Sequence, residues 1–282
     1  MVISLGNLSS GGTGKTPVGL AMVRDLKARN IRVGVVLRGY GKKEGLSDEA
    51  ELYRKVLATG EVFETPDRRD GLTRAKQAGL EWVILDDAFQ HRRVSRQADI
   101  VLIDATRPPW DDHLLPWGFL REGERALQRA DAVVLTRTEQ VSEVLLAEIK
   151  NKVSKHVSVA RTFSASTRVI RWVDLQGIPS HGHSKAYLVS AIGNPENFSR
   201  TAKQSGVEVV GKRWFNDHHH FSESEMMECS KEATALAAVI LMTSKDAVKW
   251  HHDSADAFVL DIGVELPWDE LWRELNLLKV VK

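Results

Sequence analysis

The 282-residue sequence predicts an α/β protein: a parallel sheet flanked by helices over residues 1–160, then a second, smaller α/β domain over 161–282. Three observations predict it. Short apolar runs recur with helix-like stretches between most of them, the alternation that builds a parallel sheet with helices on its faces. A glycine-rich turn separates the first apolar run from the first helix-like stretch, the layout of a βαβ unit. The pattern then lapses in a polar stretch at 151–166 and resumes, and the length fits two domains better than one.

Taken in order, Val2-Ile3-Ser4-Leu5 reads as a buried strand, the loop GNLSSGGTGKTP follows at 6–17, and Val18, Ala21, Met22 and Leu26 then repeat at helical spacing. Residues 31–37 (IRVGVVL) read as the second strand, and residues 82–85, 100–103 and 132–135 as further strands. Beyond the polar stretch, 186–189, 238–242 and 258–260 are again strand-like with helical segments between them. Ser222 with Glu225 three residues later forms a capping-box helix start. No internal repeat or low-complexity tract is present.

The loop carries the chemistry. Gly12-Thr13-Gly14-Lys15-Thr16 ends like a phosphate-binding P-loop, although the pattern G-x-x-x-x-G-K-[ST] asks for glycine where Ser9 stands. Its position between a strand and a helix is the context that the motif requires, and it argues against an incidental lysine in a glycine-rich turn. Ser10, Gly11, Gly12, Thr13 and Gly14 would bring backbone N–H groups to phosphate oxygens at a helix N-terminus. Lys15 would reach the β- and γ-phosphates and Thr16 would ligate Mg²⁺, so ATP with Mg²⁺ is the expected ligand. The segment EWVILDDAFQHRR, 81–93, ends a strand in Asp86 and Asp87. The C-terminal ends of parallel strands converge on the ligand crevice, so these carboxylates are the expected partners of Thr16 around the metal.

Composition limits the alternatives. With 39 basic and 38 acidic residues the net charge is +1, so no chain-wide field favours nucleic acid. Apolar content of 43% and charged content of 27% are ordinary for a globular protein. The lone Cys229 cannot form an internal disulfide, which suits a reducing cytoplasm. No run approaches the ~18 apolar residues of a membrane span, and no basic segment with an apolar stretch opens the chain as in a signal peptide. A cytoplasmic location and a monomer are expected.

The blocks GNLSSGGTGKTP, LRGYG (37–41), SDEA (47–50), DDAFQH (86–91), LLPWGFLRE (114–122), AIGNPENF (191–198), FNDHHHF (215–221) and TSKDAVK (243–249) follow the order seen in tetraacyldisaccharide 4'-kinases, which the chain resembles from residue 6 to 249. The resemblance implies a P-loop kinase core with a second α/β domain, the two enclosing the active site. It implies transfer of the γ-phosphoryl of ATP to the 4'-hydroxyl of a tetraacylated disaccharide 1-phosphate, a lipid A precursor, at the inner membrane. By position, Lys15 and Thr16 match the phosphate and Mg²⁺ residues, and Asp86 and Asp87 the acidic pair. Asp48 and His218 match the pair that would accept the hydroxyl proton, and Gln90, His91, Arg121 and Glu122 match site-lining positions. Arg121 could face the transferring phosphate, since a guanidinium fork suits phosphate oxygens. Arg38 and Tyr40, just after the second strand, stand at the crevice edge.

Taken alone, Asp48 reads as a helix N-cap, because Ser47-Asp48-Glu49 precedes Leu52 and Val56 at helical spacing, and His218 reads as a turn residue. Adjacent histidines 218–220 cannot all face one ion, which argues against zinc. The chain departs from the family at Leu37, Ala88, Trp117, Phe119 and Ser244, of which Ser244 replaces a glutamate. Family members usually carry a membrane-associating helix ahead of the first strand, where this sequence begins, so peripheral membrane attachment is an inherited expectation. Trp110 and Trp117 flank the loop nearest the expected acceptor and offer lipid contact. Two other readings compete: an ATP-driven switch of the KGGxGKT type, from which the chain differs by Ser10 ahead of Gly11-Gly12, and a nucleotide-binding relative without kinase activity.

Overall fold

The structure, a computed structural model, describes residues 1–39, 47–181, 183–251 and 256–278. The chain divides into two compact units: Met1–Leu46, Tyr53–Thr167 and Val264–Lys282 form the first, and Ser47–Leu52 with Arg168–Gly263 the second.

In the first unit, β1 (Val2–Asn7), β2 (Val33–Leu37), β3 (Val62–Glu64), β4 (Trp82–Asp86), β5 (Ala98–Asp104), β6 (Ala132–Thr136) and β7 (Thr162–Ser164) form one sheet in the order β3-β2-β4-β1-β5-β6-β7. Every pairing is parallel. The residues of β2, β4, β5 and β6 are buried throughout, as expected of a parallel sheet covered on both faces. Helices α1 (Lys15–Ala28), α3 (Arg68–Gln77) and α4 (Glu143–Ser154) connect these strands, while α2 (Asp48–Arg54), which follows β2 in sequence, lies mostly in the second unit. Ile149 and Val153 of α4 close one core cluster over Val101, Ile103, Val133 and Leu135, and Ala75 of α3 joins another with Val36, Val83 and Leu85. The loop after central β1 therefore emerges at the C-terminal edge of the sheet, between β4 and β5.

The second unit holds β8 (Ser166–Asp174), β9 (Pro179–Ser180), β10 (Lys185–Ser190), β11 (Glu208–Trp214), β12 (Val239–Thr243) and β13 (Ala257–Glu265), ordered β11-β10-β12-β13-β8-β9. Pairings β10/β11, β10/β12 and β12/β13 are parallel, and β8/β9 is antiparallel. Helices α5 (Pro195–Gln204), α6 (Glu223–Ala235) and α7 (Ser244–Ala247) lie between these strands in sequence. Helix α6 starts at the expected capping box, with the Glu225 N–H donating to Ser222 Oγ and the Ser222 N–H to Glu225 Oε2. Ser222→Ala removes one of those bonds and is expected to cost about 1 kcal/mol, read as a lowered thermal midpoint.

Val264–Lys282 belongs to the first unit because α8 (Trp268–Glu274) is stitched to α1. Trp272 is fully buried, meets Trp82 edge-on at 5.5 Å and donates its indole N–H to Asp25 at 2.7 Å. Arg29 bridges Asp25 and Asp269. The stretch 151–166 carries the end of α4 and edge strand β7, and the first unit runs on to Thr167.

Candidate active site

The phosphate-binding loop is held from beneath by groups the sequence reading did not single out. Asn7 donates its side-chain amide to Thr13 Oγ1 at 2.8 Å, and Thr136 at the end of β6 donates its hydroxyl to the Thr13 carbonyl at 2.9 Å. Arg137 donates to the Gly12 carbonyl at 2.8 Å and pairs with Asp104. These residues end β1, β5 and β6, so the sheet edge itself fixes the loop. Their signal in the sequence was only their place at strand ends.

Helix α1 starts at Lys15 with Gly14 as its N-cap at φ 87°, a left-handed conformation that suits glycine. No side chain caps the helix and its first turn holds no acid. Gly11 also has a positive φ, 102°, and a Cβ there would meet nothing within 4 Å. A helix start without a side-chain acceptor, next to a lysine, fits a phosphate group.

Asp87 lies just beyond β4 at φ 50°, an unusual backbone for a non-glycine residue. It turns its carboxylate to Lys15 Nζ at 3.5 Å and to Arg121, which donates to both oxygens at 2.8 Å. Buried Arg68 clamps this turn by donating to the carbonyls of Asp86 and Asp87, each at 2.8 Å. Arg121 reaches the site because its loop zips along the P-loop: Ser10 N–H donates to Phe119 O at 2.6 Å and Arg121 N–H to Leu8 O at 2.7 Å. Burial pushes the Asp87 carboxyl up, but Lys15 and Arg121 outweigh it and hold the group below its ordinary range.

The remaining expected lining residues differ in role. Gln90 donates to the Asn7 carbonyl at 2.9 Å, which ties DDAFQH to β1. Glu122 makes a bidentate pair with Arg129 at 2.8 and 2.9 Å, so its carboxylate is committed to a cation within the unit. His91 is pushed down by burial and by Arg68, Arg96 and Arg38. Arg38 is exposed past β2, and Tyr40 lies outside the described residues. Trp110 is partly buried against the α4 core cluster, whereas Trp117 is 84% exposed.

The second unit carries its own charged constellation. Ser47, not Asp48, caps α2: its hydroxyl accepts from the Ala50 N–H at 3.3 Å. The Asp48 carboxylate is thereby released from capping and lies 3.4 Å from His218 Nδ1 and 3.3 Å from Lys249 Nζ. Asp48 was read as belonging with the nucleotide-binding half, yet Ser47–Leu52 lies in the same unit as His218, so the pair is already together. His218 sits at φ 62°, a second left-handed residue among the candidates. Lys249, 4% exposed, stands between Asp48 and Asp246. Asp246 is fully buried and accepts from Ser190 Oγ, the Ala191 N–H and Thr243 Oγ1 at 2.7–2.8 Å. Lys245 pairs with Glu49 at 3.0 Å and donates to His218 Nε2 at 3.2 Å. Both lysines belong to the block TSKDAVK, whose chemistry the sequence did not disclose.

Burial pushes Asp48 up, but His218, Lys249 and Lys245 together hold it below the ordinary carboxylate range. A carboxylate with a depressed folded pKa contributes stability above its unfolded pKa and loses it as pH falls through the folded value. Asp48 and Asp87 therefore stay ionised at neutral pH, and their contribution to thermal stability is expected to fade only below about pH 4. Thermal midpoints measured down from neutral pH check this.

A family model described as tetraacyldisaccharide-1-P 4'-kinase (LpxK) matches residues 1–280. A tetraacyldisaccharide 4'-kinase of Anaeromyxobacter sp. (strain Fw109-5) is 35% identical over 279 residues, covering 88% of this chain and 73% of that protein. One from Halothermothrix orenii is 33% identical over 293 residues, covering 92% and 76%. Among solved structures, the apo form of LpxK from Aquifex aeolicus in complex with ATP is similar with TM-score 0.71 and 27% identity, covering 98% of this chain and 87% of that one.

Proposed function

Because the chain belongs to the tetraacyldisaccharide 4'-kinase family, we propose that it transfers the γ-phosphoryl of ATP to the 4'-hydroxyl of a tetraacyldisaccharide 1-phosphate, a lipid A precursor. Family membership favours this reading over an ATP-driven switch. The observation that carries it is the convergence of Lys15, Asp87 and Arg121 at the uncapped start of α1. That arrangement supports ATP as the donor, and the similar structure from Aquifex aeolicus is a complex with ATP.

Phosphoryl transfer asks the protein for alignment, charge neutralisation and a destination for one proton. The loop backbone and Lys15 hold the β- and γ-phosphates, and Arg121 offers a guanidinium to the transferring group. Thr16, Asp86 and Asp87 would hold Mg²⁺, an ion that binds through a few carboxylates and substrate oxygens and, when bound, neutralises phosphate charge. His218 Nε2 takes the proton as the O–H bond of the acceptor breaks. The acceptor oxygen bonds the γ-phosphorus, and the β–γ bridging oxygen leaves with ADP. Asp48 faces Nδ1 and stabilises the imidazolium that results. Phosphorus NMR of the isolated product tests the regiochemistry: a new monoester on the 4'-oxygen is expected, and phosphate at another hydroxyl would overturn the reading.

The acceptor is amphipathic, and the enzyme meets it at a membrane surface as a peripheral protein. Leu114, Leu115, Trp117 and Phe119 are 51%, 52%, 84% and 49% exposed on the loop that delivers Arg121, a surface suited to acyl chains. No helix among the described residues is long and apolar enough to cross a membrane. Co-sedimentation with acyl-bearing vesicles is expected, and Trp117→Ser with Phe119→Ser should weaken it several-fold. Absence of binding, with normal activity on a deacylated disaccharide, would contradict this surface.

A further inference from the structure

Lys245 occupies the nitrogen of His218 that would receive the proton. An ammonium group has three donors and no acceptor, so the 3.2 Å contact between Lys245 Nζ and His218 Nε2 requires a lone pair on Nε2. A neutral ring then carries its proton on Nδ1, the atom that faces Asp48 at 3.4 Å. A general base acting through Nε2 needs that tautomer, and a free imidazole side chain favours the other one.

The surroundings hold each partner in place. Lys245 is mostly buried, its side chain 20% exposed, and is anchored by Glu49 at 3.0 Å and Asp217 at 3.8 Å. The backbone N–H of His218 is tied to the Ala191 carbonyl at 3.2 Å and to Asp217 Oδ1 at 3.1 Å. Asp217 Oδ1 also lies 4.0 Å from Nε2, so the ring is faced by Asp48, Asp217 and Lys245. On the far side, Lys249 Nζ links Asp48 to Asp246. Asp48 Oδ2 and Lys249 Nζ are buried without a full hydrogen bond, so the Asp48 carboxylate keeps acceptor capacity for the Nδ1–H.

We propose that Lys245 is a positioning residue that presets His218 in the Nδ1–H tautomer and keeps Nε2 open as the proton acceptor, giving way to the acceptor hydroxyl when substrate arrives. The hydroxyl takes the place of the ammonium at Nε2. When its O–H bond breaks the proton passes to Nε2, while Lys245 stays paired with Glu49 and keeps its own protons. The proposal rests on the reading of His218 as the base.

The test is the ring tautomer, measured on the full chain labelled with ¹⁵N-histidine by long-range ¹H–¹⁵N correlation at a pH where the imidazole is neutral. The His218 signals are assigned by their loss in His218→Gln. Wild type is expected to show Nδ1 protonated and Nε2 bare. Lys245→Met is expected to shift the population toward the Nε2–H form, and Lys245→Arg, which keeps a donor, to restore the wild-type pattern. An Nε2–H ring in wild type, or an unchanged pattern in a folded Lys245→Met, overturns the proposal. Should Lys245→Met fail to fold, the wild-type and Lys245→Arg spectra decide the matter. The measurement uses neither ATP nor acceptor, so failure of the kinase reading, seen as missing acceptor-dependent turnover, is distinguished from failure of this one. In turnover assays Lys245→Met should lower kcat on the order of tenfold with the KM for ATP within about twofold, since the nucleotide groups are untouched.

Discussion

Lys15→Ala is expected to lower turnover by on the order of 10² or more while leaving the fold intact. The lysine opens α1, at the helix N-terminus that would receive the β- and γ-phosphates. Its ion pair with Asp87 at 3.5 Å is not needed for folding, because Arg121 still donates to both Asp87 oxygens at 2.8 Å. Removing it therefore leaves no bare buried carboxylate, the usual source of a large folding cost. Rates of ADP formation beside thermal midpoints check both halves of the statement. Near-normal activity in a folded Lys15→Ala protein would remove the P-loop assignment.

The second large effect concerns Asp48 and His218. Each alanine substitution is expected to lower kcat by about 10²–10⁴, the usual contribution of a positioned base. The double variant should be no worse than the worse single one, since a carboxylate that acts only by orienting an imidazole has nothing to orient once the ring is gone. The 3.4 Å approach of the Asp48 carboxylate to Nδ1 within one unit motivates this expectation. Strict additivity, with unchanged ATP affinity, would mean that the residues act separately and would move the base to Asp86 or Asp87.

The nucleotide half of the molecule was legible because its signals are local. A buried strand shows as a continuous apolar run, and the loop and its helix follow within one βαβ unit. Strands β3 and β7 escaped notice because three residues give no period to read. Strands β8 and β11 are only partly buried, with polar and charged residues scattered through them, and so lack a clean alternation. The cap of α2 was assigned one residue late: Ser47 and Asp48 are both good N-caps, and local propensity cannot choose between them. What decides is Lys249, some two hundred residues away, which needs the Asp48 carboxylate as its counter-ion because it is buried. Arg137 and Lys245 were hidden for the same reason, since charges whose partners, Asp104 and Glu49, come from elements distant in sequence leave no periodic trace.

The central claim is that the P-loop and the Asp48–His218 pair serve one reaction, and ADP release measured with and without the lipid disaccharide tests it most directly. With ATP and Mg²⁺ present, ADP formation is expected to depend on the tetraacyldisaccharide 1-phosphate and to match phosphorylated product one for one. It should fall on the order of 10² or more both in Lys15→Ala and in His218→Ala. ADP formation at the same rate without the acceptor, or nucleotide binding with no turnover when the acceptor is supplied, would contradict the account.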